Sequence, residues 1–307
     1  VTGIATLSTH AVYTRSKQKQ ESQLFLLGFR TPQQINAVFQ SDSKWGGLAY
    51  NYTSGINLTD PANFYVRAYS DALNEADAEG LQWRTDLDLD TGDGLFKSIK
   101  AGFRYASRST DFRSGSRLAN VDSLRLAMTS FPGGNDPEIF EGAFRGDDVS
   151  VPKTWVQYRG TLLGDPTNRA ALNAYFASLP AATNSAAFAS PLPAFDPTLA
   201  FQGDERSYAA YAQTKYGVDF GGDVRLEGVV GARIVNTELA IKGTQVRRLT
   251  TPSGVTFTYT PLDKRQNYID VDPSVSAVLH FGRNAQLRAA WTKTFSRPDF
   301  SQLNPSI

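Results

Sequence analysis

Asp86, Asp88 and Asp90 project from one face of an extended stretch at period two, and three carboxylates so spaced could hold a hard cation through oxygen ligands. The competing reading is a polar row partnered across a sheet by Arg84, Lys100, Arg104 and Arg108. It is preferred, because opposite charges on adjacent strands stabilise a sheet. His10 and His280 are the only histidines and there is no Cys, so disulfides and thiolate or His-rich metal sites are excluded, and no metal or cofactor is expected. His280 reads as a polar residue facing a lumen. The sequence has no Gly-x-Ser-x-Gly, His-Glu-x-x-His or Walker-type loop. Carboxylate pairs can always be picked from 30 acidic residues, so they give no evidence for glycoside hydrolysis. No catalytic residue is assigned and the chain is not expected to be an enzyme. The net charge of +1 gives no support for a nucleic-acid partner.

The other residues suited to recognition are aromatic. Trp155, Tyr158, Tyr175 and Phe176 lie in the long stretch 109–206 and could stack on sugar faces or on an aromatic chelate at a ligand mouth. The alternative is a small apolar cluster that holds a long loop together. Asp165-Pro166 reads as an N-cap followed by proline at the first helical position. Leu172, Tyr175, Phe176 and Leu179 follow at helical spacing, and Pro180 ends the helix. Ala181–Ala200, rich in Ala, Pro and Ser, reads as extended and mobile.

The elements that position these residues are strands. In Asn284–Phe300, Leu287, Ala289, Trp291 and Phe295 alternate with Gln286, Arg288, Ala290, Thr292, Thr294 and Ser296, up to Pro298. Ile269–Phe281 alternates as well, so 266–297 reads as a long hairpin closed by Gly282-Arg283-Asn284. Leu81–Asp90 and Ile99–Arg108 form another hairpin across Thr91-Gly92-Asp93-Gly94. Tyr208–Val218 and Val224–Ile234 form a third across Gly221-Gly222-Asp223. Leu226, Val230, Leu279, Leu287 and Ala289 are expected outward, and Arg225, Glu227, Arg233, Arg288 and Asp270 inward. The first 80 residues are less regular. Ile4–Tyr13 and 63–71 are possible strands, Arg15–Ser22 a polar loop, Leu24–Phe29 a short apolar run, and 71–80 a short helix or loop. Residues 31–62 form a weak region around Trp45, Tyr50 and Tyr52.

Each hairpin has a short turn at one end and a long connection at the other, roughly 109–206 and 241–265. Compact domains rarely contain such connections, whereas outer-membrane barrels have short periplasmic turns and long extracellular loops. Phe96, Phe220 and Phe281 sit beside the short turns, and Trp83, Tyr105, Trp291 and Phe295 near the opposite boundary, as two aromatic girdles would. No run of 18 apolar residues is present, so no transmembrane helix is expected. The fold class expected is all-β, a portion of an antiparallel transmembrane β-barrel. A soluble extracellular β-sandwich, such as a carbohydrate-binding module, is the alternative.

Four phrases carry a family resemblance: LFKSIKAGFRYASR at 95–108, ERSYAAYAQTKYGVDFGGDVRLEGVVGARIVNTEL at 205–239, YIDVDPSVSAVLHF at 268–281, and LRAAWTKTFSRPDFSQLNPS at 287–306. They resemble TonB-dependent outer-membrane receptors, particularly the branch first noticed in Caulobacter- and Xanthomonas-type bacteria. Ser296-Arg297-Pro298 followed by Leu303-Asn304-Pro305 is the most specific phrase. The resemblance implies a 22-stranded barrel with a plug in its lumen, in the outer membrane of a Gram-negative bacterium. It also implies uptake of a scarce small-molecule nutrient, an iron chelate or oligosaccharide, driven by the TonB complex. Arg104, Arg108, Arg233 and Arg288 would then face the lumen, and outer-membrane lipid would contact the apolar face. No plug domain or TonB box is recognised and the closing strands are missing, so 1–307 reads as part of a barrel, a segment of something longer or a processed product.

Overall fold

The computed structural model describes residues 4–40, 47–92, 94–142, 151–252, 254–282, 284–296 and 298–303. Trp45 lies outside them. The strands are β1 (Ala5–Phe29), β2 (Ile35–Gln40), β3 (Gly47–Tyr52), β4 (Phe64–Asp90), β5 (Phe96–Asn120), β6 (Glu138–Glu141), β7 (Thr154–Gln157), β8 (Phe201–Gly221), β9 (Val224–Thr251), β10 (Gly254–Phe281) and β11 (Ala285–Thr292). Among the described residues the main sheet has seven strands in the order β1-β4-β5-β8-β9-β10-β11, while β2-β3 and β6-β7 form small hairpins. The helices are α1 (Gly160–Gly164) and α2 (Pro166–Ala177). The chain divides into two compact units, one of Val1–Lys19, Glu75–Arg113 and Asp196–Ile307, the other of Gln20–Asn74 and Ser114–Phe195.

In the first unit the register follows the alternation. Ile99, Thr214, Val230, Val275 and Trp291 form one cross-strand row, and Val218, Leu226, Leu279 and Leu287 another on the same face. Arg225, Glu227, Arg233, Arg288 and Asp270 fall on the opposite face, as the sequence pattern requires. The apolar face is not a core: Leu287 is 64% and Trp291 59% exposed. From Leu226 to Ile234 the outer row climbs about 20 Å, at ~3.4 Å per residue and a ~40° tilt, close to the ~25 Å apolar band of a membrane barrel. Phe96, Phe220 and Phe281 border it at the turn end. Tyr105 packs on Tyr208 at 5.2 Å, and Trp83 on Phe103 at 5.8 Å, toward the other end. Beyond that row the polarity reverses. Val235, Leu239 and Ile241 are buried on the inner face, while Arg206, Glu238 and Lys242 are exposed on the outer one.

Several sequence expectations are corrected, most of them toward longer strands. Arg15–Ser22 is not a loop and 71–80 not a helix, because both lie within β1 and β4. Their charges face each other, Arg15 on Glu79 at 3.3 Å and Lys17 on Asp77 at 3.2 Å. The connection expected over 241–265 is also strand. β9 and β10 each run 28 residues and remain paired from Phe281↔Val224 to Gly254↔Thr251. Val255, Phe257 and Tyr259 alternate there with Thr256, Thr258 and Thr260 and stay exposed, a strand signal that the sequence reading passed over. The 109–206 connection shortens to 121–200. Finally, β11 ends at Thr292 rather than at Pro298. Phe295 therefore leaves the outer row and lines a hollow on the polar face with Arg104 and Arg108. The Gly221-Gly222-Asp223 turn has φ of 80°, 62° and 64°, a left-handed run that two glycines make accessible.

Candidate functional site

The polar face of the first unit carries a dense charged array. Arg84 holds Asp86 at 2.8 Å and Lys100 reaches Asp88 at 3.6 Å. Asp86 also accepts a 2.6 Å hydrogen bond from the Tyr211 hydroxyl, so the Asp row is partnered within the sheet. Tyr211 can lie flat because Gly102 has no Cβ, which would meet the ring at 2.5 Å. Arg104 and Arg108 take partners other than the Asp row. Arg104 donates to Gln82 at 2.8 Å and Arg108 to Glu205 at 3.0 Å. Arg233 stands opposite Asp272 in the register, and Arg288 opposite Val278 in the row of Glu227. His280 lies on this face, 3.0 Å from Glu227. A hollow of about 880 Å³ lies here, lined among others by Arg104, Arg108, Arg233, Asp272, Phe295 and Phe300. Among the described residues no His/Cys/Asp/Glu group has metal-site geometry.

The second unit is built around an aromatic core. Asp165 caps α2 by accepting from the Thr167 backbone N–H at 3.0 Å, and Pro166 follows as the sequence indicated. Leu172 and Phe176 on the buried face of α2 enter the core with Phe64, Val66, Tyr69, Met128, Phe131, Val156, Tyr158 and Phe188. Tyr69 stacks on Phe176 at 4.6 Å and Phe25 on Tyr158 at 4.3 Å. Of the four aromatic candidates, Tyr158 and Phe176 thus present their rings to protein. Tyr175 is half-buried against Phe131 at 4.7 Å, and Trp155 is half-buried on Phe140 at 4.7 Å in the β6-β7 hairpin. The 181–200 stretch is not extended. It forms short 3₁₀ turns and buries Phe188.

One residue the sequence reading missed organises this unit. The Arg117 side chain is 4% exposed and grips Asp71, itself fully buried, through two 2.8 Å hydrogen bonds. Arg117 further donates to the carbonyls of Ala187, Ser190 and Pro191 and lies over the Phe188 ring at 4.5 Å. Arg169 stands 3.8 Å from the same Asp71 carboxylate and also engages Glu21. Burial, then the Asp71 charge, push the Tyr69 hydroxyl well above the usual tyrosine range. At the surface, Asp122 is held below the usual carboxylate range first by the Tyr65 hydroxyl, which donates to it at 2.6 Å, and then by Arg67.

Long antiparallel strands, an exposed apolar band bordered by aromatics and a charged opposite face are the features of a membrane barrel wall. The family model described as TonB dependent receptor-like, beta-barrel matches residues 22–307. The chain belongs to that family. The TonB-dependent receptor barrel is an outer-membrane structure for TonB-dependent transport, and the family is one of transporters rather than enzymes. TonB and a small-molecule ligand are the partners that membership implies. The soluble sandwich is therefore not favoured. No helix among the described residues is long and apolar enough to cross a membrane. No curated protein matches the chain.

Proposed function

We propose that this chain is a wall segment of a receptor that captures a scarce nutrient, an iron chelate or an oligosaccharide, and imports it with TonB-derived energy. The polar face with Arg104, Arg108, Arg233 and Arg288 lines the lumen and the ligand path. The observation that carries this reading is the separation of faces, with one continuous exposed apolar band and one continuous charged array on the same strands. The edge strands β1 and β11 have main-chain groups facing outward along the sheet. A sheet in lipid must pair its edges, so these two strands meet further strands in the assembly, and the transport reading adds a lumenal plug bearing the TonB contact. The Ser296-to-Pro305 phrase supports the Caulobacter- and Xanthomonas-type branch.

Ligand capture is assigned to the second unit, which holds the long connection between β5 and β8, with Trp155, Tyr158, Tyr175 and Phe176 shaping it. Trp155 and Tyr175 keep part of their rings exposed and are the direct-contact candidates, while Tyr158 and Phe176 support them from within. The test replaces residues 154–193 by a short linker in the full-length receptor. Ligand titration and outer-membrane fractionation are then run side by side. Weakened binding with retained insertion is the expected result, since the main strands keep their ladder partners. Unchanged affinity removes this unit from ligand capture.

A further inference from the structure

Phe300, in the 3₁₀ turn that follows β11, has no role in the transport reading above, yet the structure gives it a seat. After Thr292 the Lys293 N–H still donates to the Pro273 carbonyl at 3.1 Å, and then the chain leaves the sheet. Pro298 lacks the N–H a continuing ladder needs. A 3₁₀ turn at Phe300–Leu303 follows. It lies over the polar face, since Phe295, Asp299 and Phe300 line the same hollow as Arg104, Arg108 and Arg233. Phe300 has a seat there. Its ring covers Gly203, where a Cβ would come within 2.5 Å of the ring. The Arg108 guanidinium lies over it, 4.7 Å from the centroid, and is itself held by Glu205 at 3.0 Å. Gly203 pairs with Ile241, and Phe201, Leu239 and Ile241 form a buried apolar patch on this inner face. A glycine at this point of the strand, an oriented guanidinium and an apolar floor together make a specific receptacle for one aromatic ring.

We infer that the turn Phe300–Leu303 is an inward strap, and that Phe300, seated on Gly203 beneath Arg108, sets the width of the path along this wall. The inference rests on the transport reading, in which the polar face borders the ligand's route. Phe300 would act as a positioning residue that limits what passes beside Arg104 and Arg233. Gly203 is then required as the floor of the seat, since any side chain there displaces the ring.

The test uses the full-length receptor in a background without other cysteines, reconstituted in lipid bilayers. Asp299→Cys carries a nitroxide, and Gly203→Ala is compared with the turn substitution Gly222→Ala as a control. Continuous-wave spectra of the seated strap should show restricted motion, and Gly203→Ala should mobilise the label while the control does not. In parallel, potassium chloride conductance is recorded across planar bilayers for the wild type, Gly203→Ala and Phe300→Ala without the label. Both variants should conduct at least severalfold more than the wild type. Equal label mobility in Gly203→Ala and the control overturns the seat. Mobilisation with unchanged conductance overturns the role in path width. Failure of the wild type to insert in the outer membrane would instead refute the transport reading beneath it, so the two failures are distinguishable.

Discussion

Breaking the Arg117–Asp71 pair should loosen the second unit without unfolding the barrel wall. Both partners are removed from water, at 4% and 0% side-chain exposure. Deleting one partner of a buried pair costs about 3–5 kcal/mol, because the other charge stays buried without compensation. Asp71→Leu leaves the Arg117 and Arg169 guanidinium groups facing each other, with only Arg169 retaining Glu21. Arg117→Met leaves Asp71 with Arg169 at 3.8 Å and strips the carbonyls of Ala187, Ser190 and Pro191 of a donor. The double variant Asp71→Leu/Arg117→Met should cost less than the sum of the singles, since no charge of the pair is left stranded. The assay is hydrogen exchange of the full-length receptor in lipid, read on residues 166–177 against residues 224–234. At ~1.4 kcal/mol per tenfold, the expected loss raises exchange of the first segment roughly 140- to 3700-fold where exchange follows local opening. The second segment should keep its protection. Wild-type exchange in both single variants would refute the reasoning, as would a double variant whose loss equals the sum.

Leu287→Arg in the full-length receptor should destabilise by about 2–4 kcal/mol if its row lies near the bilayer midplane, and Gln286→Arg on the polar face much less; equal losses in unfolding titrations from bilayers would argue against a lipid-facing band. Gly102→Ala should cost about 1–3 kcal/mol by forcing the Tyr211 ring off the strand, and a denaturant midpoint unchanged from wild type would count against that packing. Asp122 has a depressed folded-state pKa, so the stability it contributes is present above the unfolded carboxylate value and lost as pH falls through the lower folded one. Tyr65→Phe should move the Asp122 titration, followed by carboxyl carbon NMR, upward toward the ordinary range; an unmoved titration would remove the Tyr65 hydrogen bond as its main cause.

What the sequence determined by itself is the membrane-crossing part. Leu226, Val230, Leu279 and Leu287 recur on one face and Arg225, Glu227, Arg233 and Arg288 on the other, and that contrast is written residue by residue. The same periodicity placed Arg233 and Arg288 opposite the apolar band, and Asp165-Pro166 marked the start of α2 by local hydrogen bonding alone. Beyond the bilayer the contrast fades. Arg15–Ser22 and 71–80 present polar residues to water on at least one side, so their strand character depends on ladder partners distant in the chain. Tertiary structure alone decided three further things. The aromatic residues Tyr158 and Phe176 became core, because Phe25 and Tyr69 come from strands far away in sequence. Arg117 found Asp71 only through the pairing of long strands. Phe295 and Phe300 turned onto the polar face because β11 stops at Thr292, where the segment leaves its ladder and Phe300 takes the place that Gly203 leaves open.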